Sequence, residues 1–227
     1  MGQTVVVVGI EHRDAREVAL GFLSRGFQVY GIVTSGDSGQ AEAFSSRYPN
    51  LKTVFVNCVD DMKKIADWME ERETSLDILV LRSGFLVTSD GNVKKEHNYA
   101  DISRIFEYNV QGTREIIDGM LPLLRKGKKK RIALVTSKNS SIGETQDKEN
   151  FAYHMSISAI NMMMRIYFNQ LRPEGFSFRC YAVEGTGGLS GTEYINLDFC
   201  YDEKEPYIHS EENRFVMRDS HLREIAW

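Results

Sequence analysis

The sequence predicts an α/β fold: a doubly wound parallel sheet between two layers of helices, in a single domain spanning residues 1–227. Two observations predict it. Strand-like and helix-like runs alternate along the chain, the order required by a parallel sheet with crossover helices. The strand-like runs are also short and apolar throughout rather than alternating, as strands covered on both faces are. No internal repeat, low-complexity segment or linker rich in Gly, Pro or Ser marks a second domain.

Each element has its own signal. Thr4 to Ile10 is a β-branched apolar run and reads as the first strand. Asp14 to Ser24 follows with helical spacing of Ala15, Val18, Ala19, Phe22 and Leu23, and Arg25-Gly26 closes it as a C-cap. Asp14 and Glu17 have the D-x-x-E form of a capping box. Phe27 to Val33 is the second strand, and Ala41 to Arg47 a short helix that stops before Pro49. Thr53 to Cys58 is the third strand, and Asp60 to Arg72 the next helix, with Ile65, Trp68 and Met69 inward. Leu76 to Leu81 is the fourth strand. A loop with Asp90-Gly91 leads to one long helix from about Tyr99 to Leu124. Ile132 to Thr136, a helix over Phe151 to Arg172, and Phe178 to Val183 complete the alternation. Tyr201 to Asn213 is an acidic surface loop. Residues 214–227 close the chain as a hairpin around Asp219-Ser220, with Trp227 packed rather than free.

The totals narrow the functions. A net charge of −4 excludes a general nucleic-acid binder, which carries a basic face, so RKGKKKR at 125–131 reads as a solvated turn. Cys58, Cys180 and Cys200 are an odd number without metal-ligand spacing, which fits a reducing cytoplasm. The N-terminus enters VVVVGI at once, without a signal-peptide pattern, and no apolar run nears the roughly 20 residues that span a bilayer. Neither nucleic acid nor membrane is expected as a partner.

Three polar residues then stand out by position. Asn109 lies in YNVQGT within the long helix, Ser137 ends a strand in ALVTSKNSSIG, and Tyr153 opens the helix FAYHMSISAINMMMRIYFNQLR. In this order the chain resembles the short-chain dehydrogenase/reductase family over nearly its whole length, with a Rossmann-like fold. The ending RFVMRDSHLREIAW is similar to that of the small C-factor or sniffer-like reductases. The resemblance implies a catalytic Ser137, Tyr153 and Asn109. The serine would orient a substrate carbonyl, the tyrosine would donate or remove its proton, and the asparagine would hold a relay water. A nicotinamide cofactor, NAD(P)(H), would carry the hydride. It also implies a lysine four residues after the tyrosine, which would bond the nicotinamide ribose and lower the tyrosine pKa. That position is Ile157.

The departures cluster on the cofactor. Of the three glycines in a dinucleotide-binding turn, only Gly9 remains in GIEHRDA, with Arg13 and Ala15 at the later places. A carboxylate at Asp14 would satisfy the amides a phosphate uses and repel it, while Arg13 and Arg16 could offset this. The second strand ends Ile32-Val33-Thr34-Ser35, without an acid for a ribose 2′-hydroxyl. Cys58 replaces an adenine-contacting aspartate. Leu81-Arg82-Ser83-Gly84 and Glu184-Gly185 retain only the glycines of their family motifs, and Thr186 is a shifted candidate for the nicotinamide contact. Gly9, Arg13, Thr34, Gly84 and Gly185 are what remains to meet a cofactor. The next base on that helical face is Arg165, twelve residues beyond Tyr153 and so about 18 Å from it at roughly 1.5 Å rise per residue; Lys138 and Lys148 are the alternatives. An unassisted tyrosine, with a pKa of about 10, leaves roughly one phenolate in a thousand at neutral pH.

Two readings follow. The first is a family member with lost or much weakened oxidoreductase activity, without a dinucleotide, serving as a non-catalytic subunit or ligand-binding protein. The alternative is an NAD(P)H-dependent reductase of a small carbonyl compound with Tyr153 as proton donor. In the family the helices at about 99–124 and 151–172 pair across subunits. Met162, Met163 and Met164 cover much of the second helix's circumference, which fits core filling and also an adaptable interface, and a homo- or hetero-oligomer is expected. No metal site is expected.

Overall fold

The computed structural model describes residues 2–34, 38–56, 59–84, 98–183, 214–219 and 223–227. Cys58, Gly185, Thr186 and the loops at 90–91 and 201–213 lie outside them. The strands are β1 (Thr4–Val8), β2 (Gln28–Val33), β3 (Leu51–Phe55), β4 (Ile78–Arg82), β5 (Arg131–Ser137), β6 (Ser177–Val183), β7 (Met217–Arg218) and β8 (Glu224–Ile225). They form one sheet in the order β3-β2-β1-β4-β5-β6-β7-β8. All pairings are parallel except that of β7 with β8.

The strand order reverses between β1 and β4, which opens a crevice at the carboxyl ends of these strands. The helices are α1 (Arg13–Ser24), α2 (Ser38–Ser45), α3 (Val59–Glu70), α4 (Tyr99–Phe106), α5 (Gly112–Lys126) and α6 (Phe151–Leu171). On one face of the sheet, Met62, Ile65 and Met69 of α3, Ile116 and Met120 of α5, and Ile160, Met164 and Phe168 of α6 form the larger core. On the other face Ala15, Val18, Ala19 and Phe22 of α1 pack on Val5, Val7, Val29 and Val80. Each of the Val, Ile, Met and Phe side chains among them contributes about 1.5–3 kcal/mol when fully buried, which makes these two faces the main source of stability.

Three sequence expectations change. The long helix from Tyr99 is interrupted by a π-helical turn at Glu107–Gln111, which divides it into α4 and α5. Gly112 follows this turn at a point where a Cβ would clash with the Met62 sulfur. The capping box does not form either. Helix α1 starts at Arg13 with His12 as N-cap, so Asp14 sits inside the first turn, and Glu17 accepts instead from Arg13 Nε at 2.9 Å. The closing strands, which the sequence predicts over Arg214 to Met217 and Glu224 to Trp227, are Met217–Arg218 and Glu224–Ile225.

The hairpin is tied to α6 by Arg165. Its guanidinium donates to the Phe215 carbonyl at 2.7 Å and lies 5.3 Å from the Phe215 ring centroid and 5.7 Å from that of Trp227. Such cation–π contacts add about 0.5–2 kcal/mol each. Arg165 therefore serves the C-terminal hairpin and not the tyrosine.

Candidate functional site

The crevice has a glycine-turn half and a tyrosine half. In the first, Gly9 holds φ +83°, a left-handed conformation that favours glycine, and its N–H donates to the Ile32 carbonyl at 2.7 Å. The turn is lined by the chain's own charged side chains. Arg82, the last residue of β4, lies across Gly9: a Cβ there would stand 3.1 Å from Arg82 Cβ and 3.3 Å from its Cδ. Arg82 Nε is 3.3 Å from both Asp14 carboxylate oxygens, and Nη1 donates to the Ser83 and Gly84 carbonyls at 3.2 and 3.3 Å. Asp14 Oδ1 also accepts from the Ala15 N–H at 2.9 Å, in the first turn of α1.

Glu11 occupies the end of β2. Its Oε1 accepts from both the Thr34 N–H, at 3.0 Å, and the Thr34 hydroxyl, at 2.5 Å. Glu11 Oε2 and His12 Nε2 are buried without a hydrogen-bond partner. Burial, with the Arg82 charge, holds the His12 imidazole below its ordinary pKa, against the pull of Glu11 and Asp14. Arg16 donates to the Glu11 carbonyl at 2.6 Å, so it braces the turn's backbone. Arg13 is exposed and paired with Glu17. A pyrophosphate needs bare backbone and available amides in such a turn. This turn presents a carboxylate and a guanidinium instead.

The tyrosine half is polar and ordered. Helix α6 begins after Asn150, a left-handed residue at φ +55°. The Tyr153 ring packs on Gly84 (φ +80°), where a Cβ would stand 2.7 Å from the phenolic oxygen. Burial raises the Tyr153 pKa above its ordinary value; Arg82's positive charge opposes this and Asp14's negative charge adds to it. Asn109, wholly buried in the π turn, donates through Nδ2 to Ser156 Oγ at 2.8 Å, and Ser156 Oγ donates to the Tyr153 carbonyl at 2.7 Å. Ile157 is likewise fully buried.

Ser137 ends β5, where its Oγ accepts from the Asn139 N–H at 3.2 Å and caps a short 3-10 turn. A hydroxyl used this way still has its proton to donate. The turn is fastened behind by Ser140, which donates to the Ser137 carbonyl at 2.8 Å and accepts from Asn161 Nδ2 at 3.0 Å. Between the following loop and the outer face of α6 lies a cavity of about 740 Å³, with Ile142, Phe151, His154 and Met155 among its walls. Asp147 spans it, with Oδ2 3.4 Å from His154 Nε2 and 3.3 Å from Asn139 Nδ2. Neither Ser137, Asn109 nor Tyr153 is among the lining residues. No group of three or more His, Cys, Asp or Glu among the described residues is placed to hold a metal ion.

A model of the short chain dehydrogenase family matches residues 3–191. The chain belongs to this family. Among curated relatives, it is 43% identical over 79 residues to C-signal of Myxococcus xanthus, a match covering 35% of this chain and 48% of that protein, about half its length. It is 26% identical over 175 residues to 1-hydroxy-2-glutathionyl-2-methyl-3-butene dehydrogenase of Rhodococcus sp. strain AD45, covering 77% and 74%. Two solved structures share the fold over nearly full lengths. The NADPH-bound carbonyl reductase from chicken fatty liver matches at TM-score 0.79 and 18% identity, covering 100% of this chain and 99% of that one. The Sniffer carbonyl reductase of Caenorhabditis elegans matches at TM-score 0.78 and 18% identity, covering 100% of both.

In this member of the family, Arg82 lies between Gly9, Gly84 and Tyr153 in one crevice, and Ser156 joins Asn109 to the tyrosine helix. Thr34 is engaged by Glu11. Arg82, Glu11, His12 and Ser156 are site residues that sequence reasoning did not place there. The available signal for Arg82 was an arginine next to the family glycine in LRSG, at the end of a strand beside the first turn.

Proposed function

We propose that this chain is a short-chain dehydrogenase homologue with lost or much weakened oxidoreductase activity, acting as a non-catalytic subunit or ligand-binding protein. The observation that carries it is the Arg82–Asp14 pair across Gly9, which fills the turn that the cofactor phosphates need. By this reading the residues do not fit a dinucleotide. Ile157 supports it from the other side of the crevice, since a buried aliphatic side chain neither bonds a ribose nor charges the tyrosine.

The same reading has the chain assemble with a second subunit, like or unlike, through the faces of residues 99–124 and 151–172. Tyr99, Met162 and Ile166 support this as large apolar side chains exposed at 82%, 63% and 58%. The cavity beside α6 has the size and apolar walls of a small-molecule site. Residues 1–227 are taken as one domain, and no described helix is long and apolar enough to cross a membrane.

A second reading, a slow NAD(P)H-dependent reductase of a small carbonyl compound, has one observation in its favour. Arg82 places a positive charge near Tyr153, partly answering the missing lysine, and the protonated phenol can still donate. Titration with NADH and NADPH, followed by calorimetry, separates the two. Under the first reading neither binds up to millimolar concentration while the protein stays folded; micromolar binding of either overturns it.

A further inference from the structure

We propose that the Asp14 carboxylate is a built-in stand-in for a ligand phosphate, and that removing it converts the Gly9 turn into a phosphate-binding turn with Arg82 as the binding side chain. The proposal rests on the reading that the native turn is closed to dinucleotides, and names what closes it.

A phosphate held at a helix start takes backbone N–H groups and, where one is near, a guanidinium. Asp14 uses both kinds of partner here. One of its oxygens accepts from the Ala15 N–H at 2.9 Å, and both lie 3.3 Å from Arg82 Nε. The carboxylate therefore satisfies locally the groups that would otherwise face an incoming anion, and its charge repels that anion. Arg82 is held down over Gly9 as a consequence, with its side chain 22% exposed and Asp14's 21%.

A second observation points to a ligand at the same turn. Glu11 Oε2 is a buried polar atom without a hydrogen-bond partner on a side chain only 3% exposed, and His12 Nε2, also without a hydrogen bond, stands 3.8 Å from Glu11 Oε1. Buried polar groups are ordinarily satisfied, so the Glu11 exception marks a place where a hydroxyl or amine donor of a bound molecule would be accepted. A phosphate beside such donors is the chemistry of a nucleotide. An ordinary surface ion pair is the simpler alternative; its loss would create no new binding.

The experiment compares wild type, Asp14→Ala and the double variant Asp14→Ala/Arg82→Gln for binding of NADH by fluorescence and of inorganic pyrophosphate by calorimetry. Circular dichroism establishes folding. Asp14→Ala is expected to bind both at least tenfold more tightly than wild type, and the double variant to return to within about threefold of wild type. A folded Asp14→Ala that binds no more tightly overturns the proposal, as does a gain that survives loss of Arg82 or appears for NADH without pyrophosphate. If the alanine variant does not fold, Asp14→Asn is judged by the same criteria. Micromolar binding by the wild type would instead overturn the proposed function, leaving the ratios among variants to decide here.

Discussion

The two halves of the crevice differ in what their polar groups bond to. In the tyrosine half, Asn109, Ser156, Ser137 and Ser140 are neutral and linked by short hydrogen bonds to backbone and to one another. In the glycine-turn half, Glu11, Asp14, Arg16 and Arg82 are charged and turned onto the turn itself. A neutral network holds geometry and leaves donors available. A charged one, closed largely on itself, leaves only the buried Glu11 Oε2 open to a ligand. The difference teaches that the constellation around the tyrosine can persist as part of the fold while the ground in front of it is taken by other side chains.

The largest expected effect breaks the comparison at Ile157. If the missing lysine were a simple loss, Ile157→Lys would restore a working pair. Ile157 is fully buried, and an uncompensated buried charge costs on the order of 3–5 kcal/mol. Chemical denaturation should show a destabilisation of that size without gained NADH binding; unchanged stability would mean the lysine still has a polar place to go. Next is Asn109→Ala, which removes the donor to Ser156 and leaves a buried hydroxyl acceptor unused. A loss of about 1–3 kcal/mol is expected in the same assay. A neutral result would reduce the neutral network to ornament.

The acid response sharpens the other half. His12 is held below its ordinary pKa, so the unfolded chain binds its proton first as pH falls. The stability contributed is complete above the unfolded value of about 6.5 and is lost as pH falls through the lower folded value. Wild type should therefore lose stability as pH falls below about 6.5, with a shallower slope in His12→Gln. Equal slopes would remove His12 from the account. The smallest effect is on the phenol of Tyr153. NMR of ring-labelled tyrosine should find its titration above the ordinary value, moved further up by Arg82→Gln and down by Asp14→Asn. An unmoved titration would show that the two halves do not communicate.

Much of this was legible in the sequence. Continuous runs such as VVVV at 5–8 and IALV at 132–135 have few alternatives to a buried strand, and their alternation with amphipathic helices leaves one fold class. Gly9, Ser137, Asn109 and Tyr153 were found because each sits at an element boundary or an established motif position. The π turn was not legible, because inserting one residue's worth of backbone into a helix hardly changes its apolar spacing over 99–124. Nor was the Arg82–Asp14 pair, since nothing local couples residues 68 apart until the sheet order places β4 beside β1. Glu11 is illegible for a related reason: the second strand carries no acid at its own end, and one arrives there from the first turn.

The C-terminal hairpin has a practical use. Ser141 Oγ donates to the Ala226 carbonyl at 2.7 Å, and the Gly143 N–H donates to that of Trp227 at 3.3 Å, so the loop after Ser137 is fastened to the indole's own segment. Trp227 and Trp68 are the only two tryptophans in the sequence, and Trp68 sits on α3 against Tyr30 with Arg72 over its ring. With Trp68 replaced by Phe, the remaining fluorescence becomes an intrinsic optical gauge of that loop, sensitive to any ligand in the neighbouring cavity and needing neither a cofactor nor turnover.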